Sequence, residues 1–341
     1  MKYVVFHVML CVLCFIQIDL LAQKEKLPRK YKDYQKFMIK VNQYENDNNF
    51  KAARDLIIYN KKFYHENSFE LLKELIYINE KLSRYDDNLG LFIKGNQLGY
   101  FFLLHPALPK YKPYLQMDGF NELARSDAEL RAKAIGQSTT LYALEIPKKY
   151  KSNNYYPVIF IFHGGGSNLQ KVMNHWSSKV LNKNFIKVFL QSYRYYDSDT
   201  FGWKSGDERA DSDILKIYKE VSKSYRIDST RIYVAGISAG ATYAIDMAFR
   251  KVIPVAGIIA FCPGLPEDLV AESLEEDKLR HLKAYIVSGE NDYYLGKQRQ
   301  MTEIFDSIGF QYKQVIIDEM GHQYPKHENF YIDQGIKYIE N

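Results

Sequence analysis

From Thr139 to Asn341, short apolar runs alternate with stretches of helical spacing. The runs are Leu141 to Ile146, Val158 to Phe162, Ile186 to Leu190, Ile232 to Ala235, Val255 to Phe261, Ala284 to Val287 and Tyr312 to Ile317. They are rich in β-branched and aromatic residues, as buried strands are. Between most of them lie candidate helices, notably Asp211 to Ser224, Ala239 to Arg250, Lys297 to Ile308 and Asn329 to Ile339. Apolar strands alternating with helices predict a doubly wound α/β fold whose mostly parallel sheet is covered on both faces. Ligands of such sheets bind at the carboxyl ends of the strands, so the residues that follow each strand carry the functional information.

Residues 23–131 read differently. Strand signals are few, and Phe50-Ala53-Leu56-Ile57 and Leu71-Leu72-Leu75-Ile76 follow helical spacing. Asn49 to Ala53 is faintly echoed by Arg84 to Asn88, an offset near that of tetratricopeptide-type helix pairs. An all-helical, tetratricopeptide-like N-terminal region is therefore expected, followed by an α/β domain over 132–341. So short an array does not bury a continuous core by itself, so it is expected to pack on the neighbouring domain or to bind a protein. A segment rich in proline and tyrosine, from His105 through Pro106, Pro109 and Pro113, leads out of it.

Residues 1–22 read as a signal peptide: Lys2 is basic, Val4 to Leu21 is mostly apolar, and Leu20-Leu21-Ala22 precedes Gln23. Gln17 and Asp19 interrupt the apolar stretch, which argues against a retained membrane span. Cys11 and Cys14 each follow a leucine, where a lipid-attachment site would have a small residue. The mature chain is thus expected to begin near Gln23, to be secreted or periplasmic, and to retain only Cys262, which excludes an intramolecular disulfide. The excess of 46 Lys+Arg over 41 Asp+Glu is only +5 and gives no reason to expect nucleic acid. The 29 tyrosines suit a carbohydrate- or aromatic-binding surface but more often reflect general composition.

The chemistry lies past the strand ends. After Ile232 to Ala235 comes Gly236-Ile237-Ser238-Ala239-Gly240 and then a helix-forming run. Small neighbours let strand and helix approach while the serine projects from a tight turn. Val158 to Phe162 ends in His163-Gly164-Gly165-Gly166, where backbone N–H groups can face a cavity and stabilise an oxyanion. The lysine and Ser/Thr of a phosphate-binding loop are absent. Asp292 follows the sixth run and His322 the seventh, which gives the chain order Ser, Asp, His. A serine needs a base to take its proton, and a carboxylate fixes the tautomer of that base. Glu290 and Asp318 are alternative acids, with Asp292 favoured by its reach beyond the strand. His163 is expected to brace the glycine loop and His327 to lie on the surface. No metal-binding spacing of His, Cys or carboxylates occurs, so neither metal nor cofactor is expected.

At these residues the chain resembles the α/β-hydrolase superfamily, and within it bacterial secreted esterases related to polyhydroxybutyrate depolymerases and feruloyl or acetyl-xylan esterases. The resemblance covers roughly Thr139 to Asn341 and rests on His163 to Gly166, Gly236 to Gly240, Gly289 to Asp292 and Gly321-His322. It implies oxyanion donors from the backbone of Gly165 or Gly166 and of Ala239, and a substrate pocket bordered by Gln191, Tyr193 and Trp203. The function expected is a serine carboxylic ester hydrolase acting on a small-molecule or polysaccharide-linked ester, with Ser238 as nucleophile, His322 as base and Asp292 as orienting acid. A serine peptidase of the same fold and a non-catalytic extracytoplasmic scaffold are the alternatives.

Overall fold

A computed structural model of the chain describes residues 29–271 and 279–341. The expected signal peptide lies outside the described residues. The chain divides into two compact units at Gly95/Asn96.

The first unit contains helices α1 (Tyr34–Asn46), α2 (Phe50–Asn60), α3 (Ser68–Lys81) and most of α4 (Tyr85–Gln97), whose last two residues lie past the division. Asp33 and Asn49 cap α1 and α2 by accepting hydrogen bonds from the N–H groups of Lys36 and Ala52, satisfying donors that a helix start leaves unpaired. Phe37, Val41, Ala53, Leu56, Ile57, Leu71, Leu75 and Ile78 form one apolar cluster, so the helical spacing in the sequence marks the buried faces. The echo at positions 49–53 and 84–88 falls on the starts of α2 and α4, the second helices of two successive pairs. Buried amides hold the second pair together: Asn79 donates to Asn88 Oδ1 at 2.9 Å, and Asn88 donates to the Ile76 carbonyl at 2.9 Å.

The second unit starts well before residue 131, where the change of pattern in the sequence suggests a boundary. Helix α5 (Phe120–Gln137) spans that position unbroken. The preceding segment belongs to this unit for a polar reason. Asp127 on α5 is fully buried and accepts from the backbone N–H groups of Phe102 at 2.7 Å and Leu104 at 2.9 Å, while Phe101 N–H donates to Ser198 Oγ at 2.8 Å. The proline- and tyrosine-rich stretch is a packed wall rather than a linker, with Tyr111 and Tyr114 buried against Phe120.

The central sheet contains β1 (Leu141–Glu145), β2 (Tyr156–Phe162), β3 (Ile186–Gln191), β6 (Ile227–Ile237), β7 (Gly257–Phe261), β8 (Lys283–Gly289) and β9 (Gln311–Ile317), in the order β1-β3-β2-β6-β7-β8-β9. β1 runs antiparallel to β3, and every other pairing in this sheet is parallel. A separate antiparallel hairpin, β4 (Tyr195–Asp197) and β5 (Thr200–Phe201), follows β3. The sheet residues alternate between two cores. Val158, Phe160, Phe162, Val234, Ala260 and Ile286 meet α8 (Glu208–Ser224), α9 (Ala239–Phe249) and α10 (Leu295–Ser307). Ile159, Ile161, Ala235, Ile259 and Val287 meet α6 (Leu169–Met173), α7 (Lys179–Asn184) and α11 (Glu328–Glu340) on the other face. This two-sided burial is the reason the strands read as continuous apolar runs. No helix among the described residues is long and apolar enough to cross a membrane.

Replacing Asp127 with alanine removes the acceptor for two backbone donors and is expected to destabilise the protein by about 2–4 kcal/mol. A urea titration checks this; a loss below about 0.5 kcal/mol would show that the segment is held by packing alone.

Candidate active site

The serine loop is shaped by what cannot fit around it. A Cβ on Gly240 would overlap the backbone carbonyls of Phe162 and His163, and one on Gly236 would overlap the backbone of Gly240 and Ala241. With both glycines present, α9 starts directly at the end of β6, and Ser238 sits between them at φ 54°, ψ −126°, a left-handed backbone that a serine adopts only under constraint. The constraint includes the Ser238 N–H, which donates to the Phe261 carbonyl at 2.9 Å.

His322 and Asp292 arrive on neighbouring loops. Gly289, at the end of β8, lets the carbonyls of Met320 and Gly321 approach where a side chain would collide. The two loops are stitched by Asn291 N–H to the Met320 carbonyl at 2.9 Å and Glu290 N–H to the Ile317 carbonyl at 3.0 Å. His322 Nε2 lies 2.7 Å from Ser238 Oγ, and His322 Nδ1 lies 2.9 Å from Asp292 Oδ1. Thus the structure brings together three residues separated by 84 and 30 positions in sequence. Glu290 is exposed and accepts from the Glu319 N–H at 3.0 Å, and Asp318 is exposed; neither takes the place of Asp292 beside the histidine.

The Asp292 side chain is buried. Burial alone would push its pKa up, but hydrogen bonds from the Tyr294 N–H, Gln298, His322 and Cys262 outweigh it and hold the carboxyl below its usual range. The Tyr294 N–H and Gln298 Nε2 bonds are 2.8 and 2.9 Å long. A carboxylate fixed in this way accepts a proton-bearing Nδ1 and leaves Nε2 as acceptor for the serine hydroxyl. Three side chains that the sequence does not point to complete this surround. Tyr293 and Tyr294 flank the His322 ring at centroid distances of 4.4 and 5.3 Å. Buried Cys262 lies behind Asp292, its thiol pushed up to about 12 by burial and then by the neighbouring carboxylate. Ligand atoms of Cys262, Asp292 and His322 lie within 4.8 Å of one another, the spacing of a metal site. Both nitrogens of His322 are already engaged, however, so this donor set fits the hydrogen-bonded chain better than a cation.

The glycine loop separates into donors that are spent and one that is free. Gly166 N–H donates to the Phe201 carbonyl at 2.9 Å, so it is not open to a ligand. Gly165 N–H makes no intramolecular hydrogen bond among the described residues. Ala239 is the first residue of α9, where the N–H has no intrahelical acceptor. Of the loop amides expected as donors, Gly165 is therefore the one available. His163 braces the loop: its Nδ1 lies 2.7 Å from the Gly164 carbonyl, and its Nε2 accepts from Ser192 N–H at 3.2 Å.

A cavity of about 220 Å³ opens at Ser238 and is lined by Trp203, Ala239, Thr242, Leu265 and Tyr294, with Lys204, Glu267 and Lys297 among its lining residues. Trp203 therefore borders this cavity. Gln191 and Tyr193 do not line this cavity. Gln191 Oε1 accepts from Leu169 N–H at 3.0 Å, and the buried Tyr193 hydroxyl is bound to Asp207 at 2.8 Å. A larger recess of about 1080 Å³ lies at the amino ends of β6 to β8, lined by Tyr233, Ala256 and Lys283. It holds none of the three residues, and size alone does not make it the reactive site.

No protein-family model and no curated protein matches the chain. Solved structures do. An uncharacterized protein from Bacillus cereus is similar at 21% identity and a TM-score of 0.50, over 90% of this chain and 98% of that one, a span that includes helices ahead of the sheet. A phospholipase/carboxylesterase from Dyadobacter fermentans (18% identity, TM-score 0.44) is matched over 59% of this chain and 97% of that one. Dipeptidyl peptidase 4 of Porphyromonas gingivalis (15% identity, TM-score 0.44) is matched over 59% of this chain but only 33% of its own length.

Burial pushes the His163 pKa down to about 4. Its folded value lies below its unfolded one near 6.5, so its stabilising effect is complete above pH 6.5 and is lost as pH falls towards 4. Unfolding titrations should show stability falling by roughly 3 kcal/mol from this group across that window. In His163→Gln that part of the slope should vanish; an unchanged slope would assign the pH dependence to other groups. With its seven-stranded order, its single antiparallel edge strand, and a serine, an acid and a histidine each placed past a parallel strand, the chain has the α/β-hydrolase fold.

Proposed function

We propose that the protein is a serine hydrolase that cleaves carboxylic esters through an acyl-enzyme on Ser238. The observation that carries this reading is the unbroken chain from Ser238 Oγ through His322 to Asp292. In the first half-reaction, His322 Nε2 takes the hydroxyl proton as Oγ bonds to the acyl carbon, and the imidazolium then gives that proton to the departing alcohol. In the second, water loses a proton to the same nitrogen as it attacks the acyl carbon, and the imidazolium returns that proton to Ser238 Oγ as the acid is released. Asp292 keeps its charge and stabilises the imidazolium. The free N–H groups of Gly165 and Ala239 are proposed to hold the oxyanion. No step calls for a metal or a cofactor.

The mixed charge of Lys204, Glu267 and Lys297 around a small cavity suits a polar substrate, such as an ester on a sugar or other hydroxylated alcohol, better than a long acyl chain. Action outside the cytoplasm, with chain maturation near Gln23, is part of the proposal and rests on the sequence pattern of residues 1–22. The helical region is proposed to serve a protein or substrate contact rather than the chemistry, since none of the three residues lies on it.

Turnover of p-nitrophenyl acetate tests the reading. Ser238→Ala should lose about 10⁴-fold or more in kcat, and Asp292→Asn about 10²- to 10⁴-fold. Equal turnover by the parent and Ser238→Ala would remove the serine mechanism, whereas peptide cleavage without ester cleavage would favour the peptidase.

A further inference from the structure

Beyond the two backbone amides, the structure assigns a third oxyanion donor, the phenolic hydroxyl of Tyr196, delivered to the site by the β4–β5 hairpin. The assignment rests on the serine hydrolase reading above and concerns the same site.

The hairpin is tied to the glycine loop at both of its backbone faces. Phe201 N–H donates to the Ser167 carbonyl at 2.8 Å, and the Phe201 carbonyl accepts from Gly166 N–H at 2.9 Å. Asp197 closes the turn by accepting from Thr200 N–H at 2.9 Å and Thr200 Oγ1 at 2.8 Å. The register of the two strands shifts between Tyr195 and Asp197, so Tyr196 occupies an irregularity in the ladder. Such bulges re-aim a side chain away from the regular alternation.

The Tyr196 ring is seated on Gly202. A Cβ at Gly202 would overlap the Cζ, Cε1 and Oη atoms of the tyrosine, so only glycine leaves room for it. The hydroxyl end reaches the glycine loop. A point one bond from the Gly165 Cα lies 3.5 Å from Tyr196 Oη, 3.5 Å from Tyr196 Cε2 and 3.5 Å from the Ala239 Cβ. The phenol thus stands beside Gly165 on the side where the Ala239 side chain also approaches, and it makes no hydrogen bond within the described part of the chain. A hydroxyl kept unpaired next to an unpaired amide offers a third donor to one negatively charged oxygen, and the fixed hairpin means little reorganisation as that charge forms. Burial, followed by the nearby Tyr294, raises the Tyr196 pKa against the opposing pull of Arg194, so the proton stays in place at neutral pH.

The test is the second-order rate at which a fluorophosphonate labels Ser238, read beside kcat and KM for p-nitrophenyl acetate and the affinity for an aryl boronic acid, which forms a tetrahedral adduct. Tyr196→Phe keeps the ring and removes only the donor. Its labelling rate, kcat and boronate affinity should each fall about 10- to 10²-fold, with KM and the urea midpoint unchanged. Gly202→Ala, which displaces the ring, should reproduce these losses. If the parent is labelled at Ser238 and Tyr196→Phe keeps the parent rate and boronate affinity, the assignment is overturned while the hydrolase reading stands. If the folded parent is not labelled at all, both fall together. A rise in KM with kcat unchanged would make Tyr196 a wall of the binding cavity, which also overturns the assignment.

Discussion

No side chain fits between Gly240 and the end of β2, and the geometry of the site follows from that contact. Because the backbone of α9 rests on the carbonyls of Phe162 and His163, the helix start and the glycine loop are held at one distance from each other. Ser238 is thereby forced into its left-handed conformation at the start of α9. A Cβ at this position would separate the serine from the loop. The strain of a positive φ at a non-glycine residue, of order 1–3 kcal/mol, is borne by the buried sheet and helix on either side.

The second close approach, of Gly289 to the carbonyls of Met320 and Gly321, does for the histidine what the first does for the serine. It lets the loops after β8 and β9 exchange backbone hydrogen bonds, so that Asp292 and His322 meet at 2.9 Å without either loop being long. Rigidity continues beyond His322: Tyr324 stacks on His175 at 3.6 Å, and His175 pairs with Glu328 at the start of α11. Electrostatics then acts on a fixed frame. Asp292 keeps its charge in a buried place because four hydrogen-bond donors surround it, whereas burial holds His163 neutral against the opposing pull of the Gly164 carbonyl.

Much of this was legible from residue order. The seven apolar runs correspond to the seven strands of the sheet, and the five inner ones are clearest because strands buried on both faces leave no polar alternation to confuse the pattern. Ser238, Asp292 and His322 were legible because each follows such a strand, and because small residues punctuate the turns around them. The β4–β5 hairpin was not: its strands are three and two residues long, too short for any period. The division at Gly95/Asn96 was hidden for a related reason, since helices of both units share one spacing and the polar anchor, Asp127, is an ordinary helix residue until its acceptor role is seen.

By itself the sequence determined the doubly wound architecture, the helical character of the N-terminal part and the three residues of the hydrogen-bonded chain, all of which depend on local periodicity and on glycine placement. Only the tertiary structure decided which loop amide is free, Gly165 rather than Gly166, and that Tyr294 lines the cavity at the reacting serine while Gln191 and Tyr193 do not. The physical reason is that a donor's availability depends on whether a distant carbonyl has already claimed it. Neither Phe201 nor Gly202 carries any mark in the sequence of the partner it meets.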